Sequence, residues 1–427
     1  MKSLFRSALL KNALSGGASK YIQVAVGLVT TPLLLQHWGP IGYGSFIVIN
    51  TIAAYVLSAD LGLGGALVAL EGRFEESEKR REFHRTCLLI SVFVSAAILC
   101  LVGLFHTFAQ YSTVWVNWES LSDQKGALCI ALLSAAISLP LIVAQKIYLA
   151  NGRDYLNQIA SVCIVLLCAV INIAIVARGG SVATVVIANS IVVPLCLASQ
   201  TFWIWRTTFL LGMNRKMRVS GELARQACGA AAPLWIVQIL ALLGGQLDVL
   251  LLGLSGRSEQ IAQYYIYQRL FSLAQLGQFF VVPLWPIFGK MLREHSSGHA
   301  FRSLKRYALY MAALSAVCGL AVVAVLPLIL DWWLGKSIDL DLSLGFVFVL
   351  FGVAANLGGV ASMYMSNEGL LWRNVRLYGF ATAAALLIKY LLVGSYDAAG
   401  LLTGSLLGYL VFYTVPVYFI AKYHEKK

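Results

Sequence analysis

The sequence predicts an all-α, polytopic membrane protein with twelve transmembrane helices in two six-helix lobes around a central cavity. The first reason is composition, because 59% of the residues are hydrophobic and only 12% are charged, whereas a soluble domain carries about 25% charged residues. The second is that apolar residues form runs of about 20 to 27 residues along the whole chain. Each run is long enough to cross a hydrocarbon core about 30 Å thick. The third is that the basic, polar stretch 206–226 leaves six such runs on either side of it, as a two-lobe repeat requires.

Taken in chain order, the apolar runs give the boundaries of the predicted helices. They do not alternate apolar and polar residues at period two, so an all-β fold is not expected. The predicted N-terminal lobe is 1–205, the basic cytoplasmic linker is 206–226 and the C-terminal lobe is 227–427. The twelve predicted spans are 12–36, 42–69, 87–110, 127–150, 156–177, 181–205, 227–254, 261–289, 307–332, 342–366, 374–394 and 398–421.

Membrane topology explains the net charge of +13 better than nucleic-acid binding does. Of the 32 Lys and Arg residues, 25 lie on one side of the predicted spans, and only Lys125, Arg178, Arg257 and Lys336 lie on the other. Since Lys and Arg are enriched in cytoplasmic connections, both termini are predicted to be cytoplasmic. No nucleic acid and no cofactor is expected. The eight cysteines lie in or beside apolar runs without CxxC spacing, so no metal site is expected either.

The first predicted span carries a polar face. Its small and polar residues recur at intervals of three or four, which places them within a sector of about 100° on a helix. Such a face cannot point at lipid and is expected to face a neighbouring helix or a wet cavity. The residues of this face are Asn12, Gly16, Lys20, Gln23, Gly27 and Thr31.

Four further ionisable residues lie inside predicted spans, namely Asp60, Asp248, Arg269 and Lys389. Because adjacent spans are antiparallel, Lys20 and Asp60 are expected at similar depths and form one candidate structural ion pair. Asp248 and Arg269 form another candidate pair. Lys389 is close enough to an interface for its side chain to extend there, and Lys146 is expected to reach the inner surface in the same way.

The alternative to structural pairing is a binding site. Cations at different depths on helices of both halves would make a wet cavity attractive to an anion, although the two aspartates reduce the charge of the five-residue set to +1. Gln23 and Gln238 occupy similar mid-helix positions in the two halves, each followed by a tyrosine at the start of the next span. The predicted substrate-binding residues are Lys20, Gln23, Asp60, Gln238, Asp248, Tyr264, Arg269 and Lys389.

Two segments carry a resemblance to a known family. The chain opens with KNALSGGASKYIQVAVGLVTTPLLLQHWGPIGYGSF and continues, some way on, with LSADLGLGGALV before a charged loop. LxxxxGPxxYG followed by DLGLG resembles the first two spans of Wzx-type polysaccharide flippases. These belong to the larger multidrug/oligosaccharidyl-lipid/polysaccharide exporter group. The rest of the chain is similar to that family in topology and length more than in motif.

The resemblance implies a bacterial inner-membrane flippase for O-antigen or related surface polysaccharide. Its expected substrate is an oligosaccharide linked by pyrophosphate to undecaprenol, moved from the cytoplasmic to the periplasmic leaflet by alternating access. It implies membrane lipids as partners, together with a polysaccharide polymerase and a chain-length regulator. In this reading Lys20 and Arg269 attract the diphosphate and Gln23 and Gln238 bind hydroxyls. The tyrosines that would contact sugars are Tyr43, Tyr264, Tyr265 and Tyr267.

Two other functions are weighed against this one. A multidrug cation antiporter of the same fold would be expected to carry more acidic than basic residues in its cavity, and here Lys20, Arg269 and Lys389 face two aspartates. A membrane polymerase or ligase would need a substantial outer loop with catalytic residues, and no predicted connection is large enough. The protein is therefore not expected to be an enzyme.

Overall fold

The computed structural model describes residues 2–71, 74, 76–109, 124–151, 153–207, 221–255, 257–272, 297–334, 340–367 and 370–425. All regular secondary structure in these ranges is helical. The helices are α1 (Lys2–Leu57), α2 (Leu63–Glu71), α3 (Ser77–Ala109), α4 (Lys125–Ala150), α5 (Asp154–Val176), α6 (Val182–Thr207), α7 (Gly221–Gly245), α8 (Leu247–Leu254), α9 (Ser258–Ser272), α10 (Ser297–Leu334), α11 (Leu342–Asn367), α12 (Leu371–Tyr409), a π-helical turn (Leu410–Thr414) and α13 (Val415–Glu425).

Nine segments among the described residues are long and apolar enough to cross a membrane. Two of them, Ser15–Leu57 and Leu371–Ile420, are 43 and 50 residues long, and each contains a backbone break, at Gly39 and at Asp397 respectively. Because about 20 residues suffice for one crossing, each of these two segments accounts for two crossings. The first part of the eighth predicted span, 261–289, lies in α9, and its residues 273–289 lie outside the described residues. The predicted all-α class with twelve helices is confirmed.

The chain separates into two compact units, Met1–Ile239 and Leu240–Lys427. The boundary between them lies within α7, whereas the sequence predicted it in the linker 206–226. Residues 208–220 of that linker lie outside the described part of the chain. The lobe limits at 205 and 227 therefore stay a prediction.

In the N-terminal unit, α4 is the central helix. It packs against α1, α2, α3, α5 and α6. Its buried side chains include several alanines, among them Ala131, Ala135 and Ala136, and small side chains allow membrane helices to approach closely. The described core of this unit also contains Leu63 and Leu67 of α2.

The second predicted span, 42–69, is not one continuous helix. The chain leaves the helical path between α1 and α2, where Leu61 and Gly62 both adopt positive φ angles, of 53° and 72°. The Asp60 carboxylate closes this turn. Its Oδ1 accepts a hydrogen bond from the Gly62 N–H at 3.0 Å and its Oδ2 accepts one from the Gly64 N–H at 3.4 Å. Asp60 thus satisfies backbone donors that a helix start leaves without partners.

The glycines after Asp60 allow this turn to pack against α7. A methyl group on Gly62 would come within 2.5 Å of the Ala231 carbonyl oxygen, and one on Gly65 within 2.9 Å of Leu234 Cδ1. Beside this contact, Trp235 donates its indole N–H to the Ser58 carbonyl at 3.0 Å. The DLGLGG motif is therefore a close-packing surface.

The C-terminal unit has an aromatic core around α12 and the π-helical turn. Tyr378 lies edge-on to Tyr409 and Tyr413, with ring centroids 5.0 and 5.1 Å apart. Tyr413 donates its hydroxyl proton to Asn374 Oδ1 at 2.7 Å, and Asn374 donates in turn to Ser362 Oγ at 3.3 Å. These contacts connect α11, α12 and the π-helical turn within the unit.

We expect the variant Gly62→Ala to lower the thermal stability of the purified protein. An alanine at positive φ costs about 1–2 kcal/mol before any clash is counted, and its methyl group would also collide with the Ala231 carbonyl. The measurement is the unfolding temperature in detergent.

Gly103→Ala is the matched control for this glycine. A methyl group at Gly103 meets nothing within 4 Å, and alanine is the better helix former. An unfolding temperature for Gly62→Ala equal to that of the control would contradict the packing described here.

Candidate functional site

Asp248 and Lys389 form an ion pair in the interior of the C-terminal unit. Asp248 Oδ1 lies 2.5 Å from Lys389 Nζ, and the two side chains are 1% and 0% exposed. Tyr264, also buried, donates its hydroxyl proton to Asp248 Oδ2 at 2.6 Å. Lys389 was predicted to extend to an interface, and that prediction is wrong. The alternative pairing of Asp248 with Arg269 is also wrong, because Asp248 pairs with Lys389.

A break in the seventh predicted span explains why a lysine lies there. The helix α7 ends at Gly245 and α8 begins at Leu247. Lys389 donates to the Gly244 carbonyl at 2.6 Å, and Ser405 Oγ donates to the same oxygen at 3.3 Å. A backbone break at membrane depth needs such partners, because lipid offers none. The charges and donors of Asp248, Tyr264 and Lys389 are thus directed at one another and at the backbone.

Asp60 lies beside Lys146 rather than Lys20. A methyl group on Gly64 would come within 2.8 Å of Lys146 Cγ and 3.3 Å of Asp60 Oδ2. The Lys146 side chain, which was predicted to reach the inner surface, therefore lies over Gly64 next to the Asp60 carboxylate. The candidate ion pair between Lys20 and Asp60 does not form in the structure; the two Asp60 oxygens accept hydrogen bonds from backbone N–H groups.

Lys20 is exposed, but not on the side of α1 that carries exposed apolar residues. Val29 and Leu33 are 61% and 40% exposed, and they lie roughly 140–180° around the helix from Lys20. Gly27 and Thr31, which follow Lys20 on its own side, are buried. Lys20 therefore lies on the interior side of α1, at a level where that side is open. It has no ion pair among the residues that the structure describes.

Gln23 joins α1 to α5. Its amide nitrogen donates to Ser19 Oγ and to Ser161 Oγ, each at 3.1 Å. The polar face that the sequence predicted for the first span thus contacts a neighbouring helix at Gln23, whereas Lys20, three residues earlier, is open.

The remaining predicted residues are placed separately. Gln238 is half-buried on α7. Arg269 is half-buried on α9, with its guanidinium carbon 5.7 Å from the centroid of the Tyr265 ring. Tyr43 and Tyr267 are buried. The Tyr43 hydroxyl shares a hydrogen bond with Thr31 Oγ1 at 3.2 Å, and the Tyr267 hydroxyl accepts one from the Asp341 N–H at 2.7 Å. Neither ring therefore faces an open space.

Sequence reasoning missed an amide network that connects α4, α5 and α6. The Gln145 side chain donates to Gln200 Oε1 at 2.6 Å, and Gln200 donates to Asn157 Oδ1 at 2.8 Å. Asn157 donates in turn to the backbone carbonyl of Gln145 at 3.0 Å. Asn157 and Gln158 also donate to the two Asp154 carboxylate oxygens, at 3.1 and 2.9 Å. The available signal was the recurrence of polar residues on one face at the start of α5.

No group of three or more His, Cys, Asp or Glu side chains placed to hold a metal ion occurs in the described ranges.

No family model and no curated protein matches the chain. Among solved structures, an inward-facing multidrug resistance MATE family transporter of the MOP superfamily matches with a TM-score of 0.71 and 16% identity, over 95% of this chain and 94% of that one. An outward-facing structure of such a transporter matches with a TM-score of 0.69 and 16% identity, over 98% and 95% of the two chains. This chain has their fold.

A third match is a MOP superfamily transporter from Pyrococcus furiosus, with a TM-score of 0.69 and 16% identity over 99% and 96% of the two chains. Its published description states that the reverse polarity of its binding pocket suggests a different function. The two-lobed, twelve-helix architecture predicted from the sequence is thus that of solved transporters.

We expect Lys389→Met to destabilise the protein strongly, because it leaves the Asp248 carboxylate buried without its cation. Breaking a buried ion pair from one side costs about 3–5 kcal/mol. The double variant Asp248→Asn, Lys389→Met removes both charges and should recover most of the lost stability. Unfolding temperature and the yield of monodisperse protein are the measurements.

Lys79→Met is the control for the loss of a lysine from an ion pair. Lys79 lies 3.2 Å from Glu76, with side chains 61% and 65% exposed, and an exposed pair contributes little. If the double variant is as unstable as Lys389→Met alone, the loss of the ion pair does not explain the destabilisation.

Proposed function

We propose that the chain is a flippase for an undecaprenyl-pyrophosphate-linked oligosaccharide, which it moves from the cytoplasmic to the periplasmic leaflet of the bacterial inner membrane by alternating access. The observation that carries this proposal is Lys20. It is an exposed cation on the interior side of a membrane-spanning helix, and no described carboxylate pairs with it. A charged residue inside the membrane is costly and is retained where it meets a ligand, a partner or water.

The contacts of the two aspartates in the spans support a negatively charged ligand. Asp248 is paired with Lys389, and Asp60 caps a helix start beside Lys146. Neither carboxylate is available to hold a cationic ligand in this arrangement. Lys20 therefore gives the N-terminal unit a positive interior surface, and Arg269 adds a positive charge in the C-terminal unit. Both favour an anion.

The proposed substrate has the matching chemistry. Its diphosphate and sugars cannot cross hydrocarbon without a polar path, while its prenyl chain never needs to leave the lipid. A protein of this fold has only to shelter the head group. The resemblance of the first two spans to Wzx-type flippases supports the same substrate class. The cytoplasmic termini and an association with a polymerase and a chain-length regulator are parts of this proposal.

The second candidate is a multidrug cation antiporter, and its specific support is that two of the matched structures are described as multidrug resistance transporters. Against it stands the polarity of the interior, since Lys20 is open and the two carboxylates are engaged. The description of the Pyrococcus furiosus transporter links pocket polarity to a difference in function within the same fold. Fold by itself does not decide between these two substrates.

We expect Lys20→Ala to lower transport of a fluorescent undecaprenyl-diphosphate oligosaccharide in proteoliposomes by at least about tenfold, since one charge-assisted hydrogen bond is worth roughly 1.5–3 kcal/mol. Lys20→Arg keeps the charge and should retain most of the transport. The measurement is the rate at which the substrate becomes accessible in the opposite leaflet.

The control is Lys79→Ala, which removes an exposed lysine outside the spans and should transport at the wild-type rate. The same vesicles, loaded with a lipophilic cation, test the second candidate. Unchanged oligosaccharide transport by Lys20→Ala, or efflux of the cation by the wild-type protein without oligosaccharide transport, would overturn the proposal.

A further inference from the structure

The amide network of the N-terminal unit lies on the interior side of α5. Asp154, Asn157, Gln158 and Ser161 fall within an arc of about 100° on this helix. Exposed apolar residues occupy the other side. Val170, for example, is 64% exposed and lies roughly 170° from the centre of the polar arc. The polar face of α5 is thus turned away from the side on which lipid is expected.

On the neighbouring helix α6, exposed apolar side chains also lie mostly on the side away from the network, although Trp203, which is 59% exposed, lies about 60° from Gln200. Gln200 lies roughly 140–180° around the helix from Ile191 and Leu195, which are 53% and 63% exposed. Gln200 is itself half-buried, as are Gln145 and Asn157. These amides are therefore neither on the lipid side nor sealed in a dry core. They form a partly exposed polar surface within this unit.

The hydrogen bonds within the network leave capacity for a ligand. Each amide oxygen can accept and each amide nitrogen can donate two bonds. Among the described residues, no donor is bonded to Gln145 Oε1 or to Gln158 Oε1. The Asp154 carboxylate already accepts from Asn157 and Gln158. A ligand on this surface would therefore meet neutral donors and acceptors rather than an uncompensated charge.

The network leads directly to Lys20. Asp154 lies in the first turn of α5, and Ser161 lies about 10 Å further along the helix at 1.5 Å per residue. There Ser161 accepts a hydrogen bond from Gln23, which lies three residues after Lys20 on α1. A continuous polar surface thus extends from the start of α5 to the open lysine within the N-terminal unit.

We infer that this amide surface, formed by Gln145, Asn157, Gln158 and Gln200, is the sugar-binding subsite of the N-terminal unit. It rests on the proposed function and specifies where the uncharged part of the head group binds. Sugar hydroxyls both donate and accept hydrogen bonds, as amides do, and they carry no charge. With the diphosphate at Lys20, the sugars beyond the first one lie along α5 towards its cytoplasmic end, where the amides contact them.

Transport of two different substrates distinguishes a sugar-binding role of the amides from a purely structural one. Asn157→Ala and Gln200→Ala are compared with the wild type for transport of an undecaprenyl-diphosphate oligosaccharide and of undecaprenyl diphosphate carrying a single sugar. We expect each variant to lose at least about tenfold in oligosaccharide transport, equivalent to one or two hydrogen bonds. Transport of the single-sugar lipid should stay within about twofold of wild type, because the diphosphate still binds at Lys20.

The matched control is Asn50→Ala, which removes an exposed amide of α1 whose one hydrogen bond to a described residue goes to the Phe46 carbonyl of its own helix. It should transport both substrates as the wild type does. Equal losses for both substrates in Asn157→Ala and Gln200→Ala, with a lowered unfolding temperature, would show that the network only holds helices together and would overturn the inference. Normal transport of both substrates by these variants would also overturn it. In this experiment the proposed function itself fails if the wild-type protein transports neither substrate, which is a different outcome from either of these.

Discussion

Hydrocarbon cannot solvate a charge or an open backbone group, and this constraint organises the interior of the protein. Two of the predicted spans are interrupted, between Leu57 and Leu63 and between Gly245 and Leu247. Each interruption is closed by side chains. Asp60 and the Trp235 indole serve the first break, and Lys389 serves the second. Polar residues that looked like binding residues in the sequence are therefore partly accounted for by the backbone they satisfy.

This assignment changes the electrostatic character of the interior. In a count of charges made from the sequence, the two aspartates lower the net positive charge of the spans. In the structure, Asp248 and Lys389 neutralise each other in a place that neither water nor ligand reaches. Among the described residues in the spans of the N-terminal unit, Lys20 is exposed and has no ion pair. An interior surface that holds an accessible cation beside a row of neutral amides suits an anion that carries sugars.

The fold is that of solved transporters, two of which are described as multidrug resistance transporters. Different transporters that share one fold can bind substrates of opposite charge. The helices provide the path through the membrane, and a few side chains provide the recognition. The amide network and Lys20 occupy the same unit, on α1, α4, α5 and α6. Recognition of a head group with a charged and an uncharged part needs two such surfaces next to each other.

The sequence by itself determined the helical class, the positions of most spans and the polar face of the first span. Each of these depends on local properties, since a spanning helix must satisfy its own backbone and repeats its pattern every 3.6 residues. Only the tertiary structure decided which charges are open. Asp248 and Lys389 meet from helices far apart in the sequence, and so do Gln23 and Ser161. Hydropathy carries no information about such pairs, because a lysine that meets a carboxylate and a lysine that meets water have the same sequence signature.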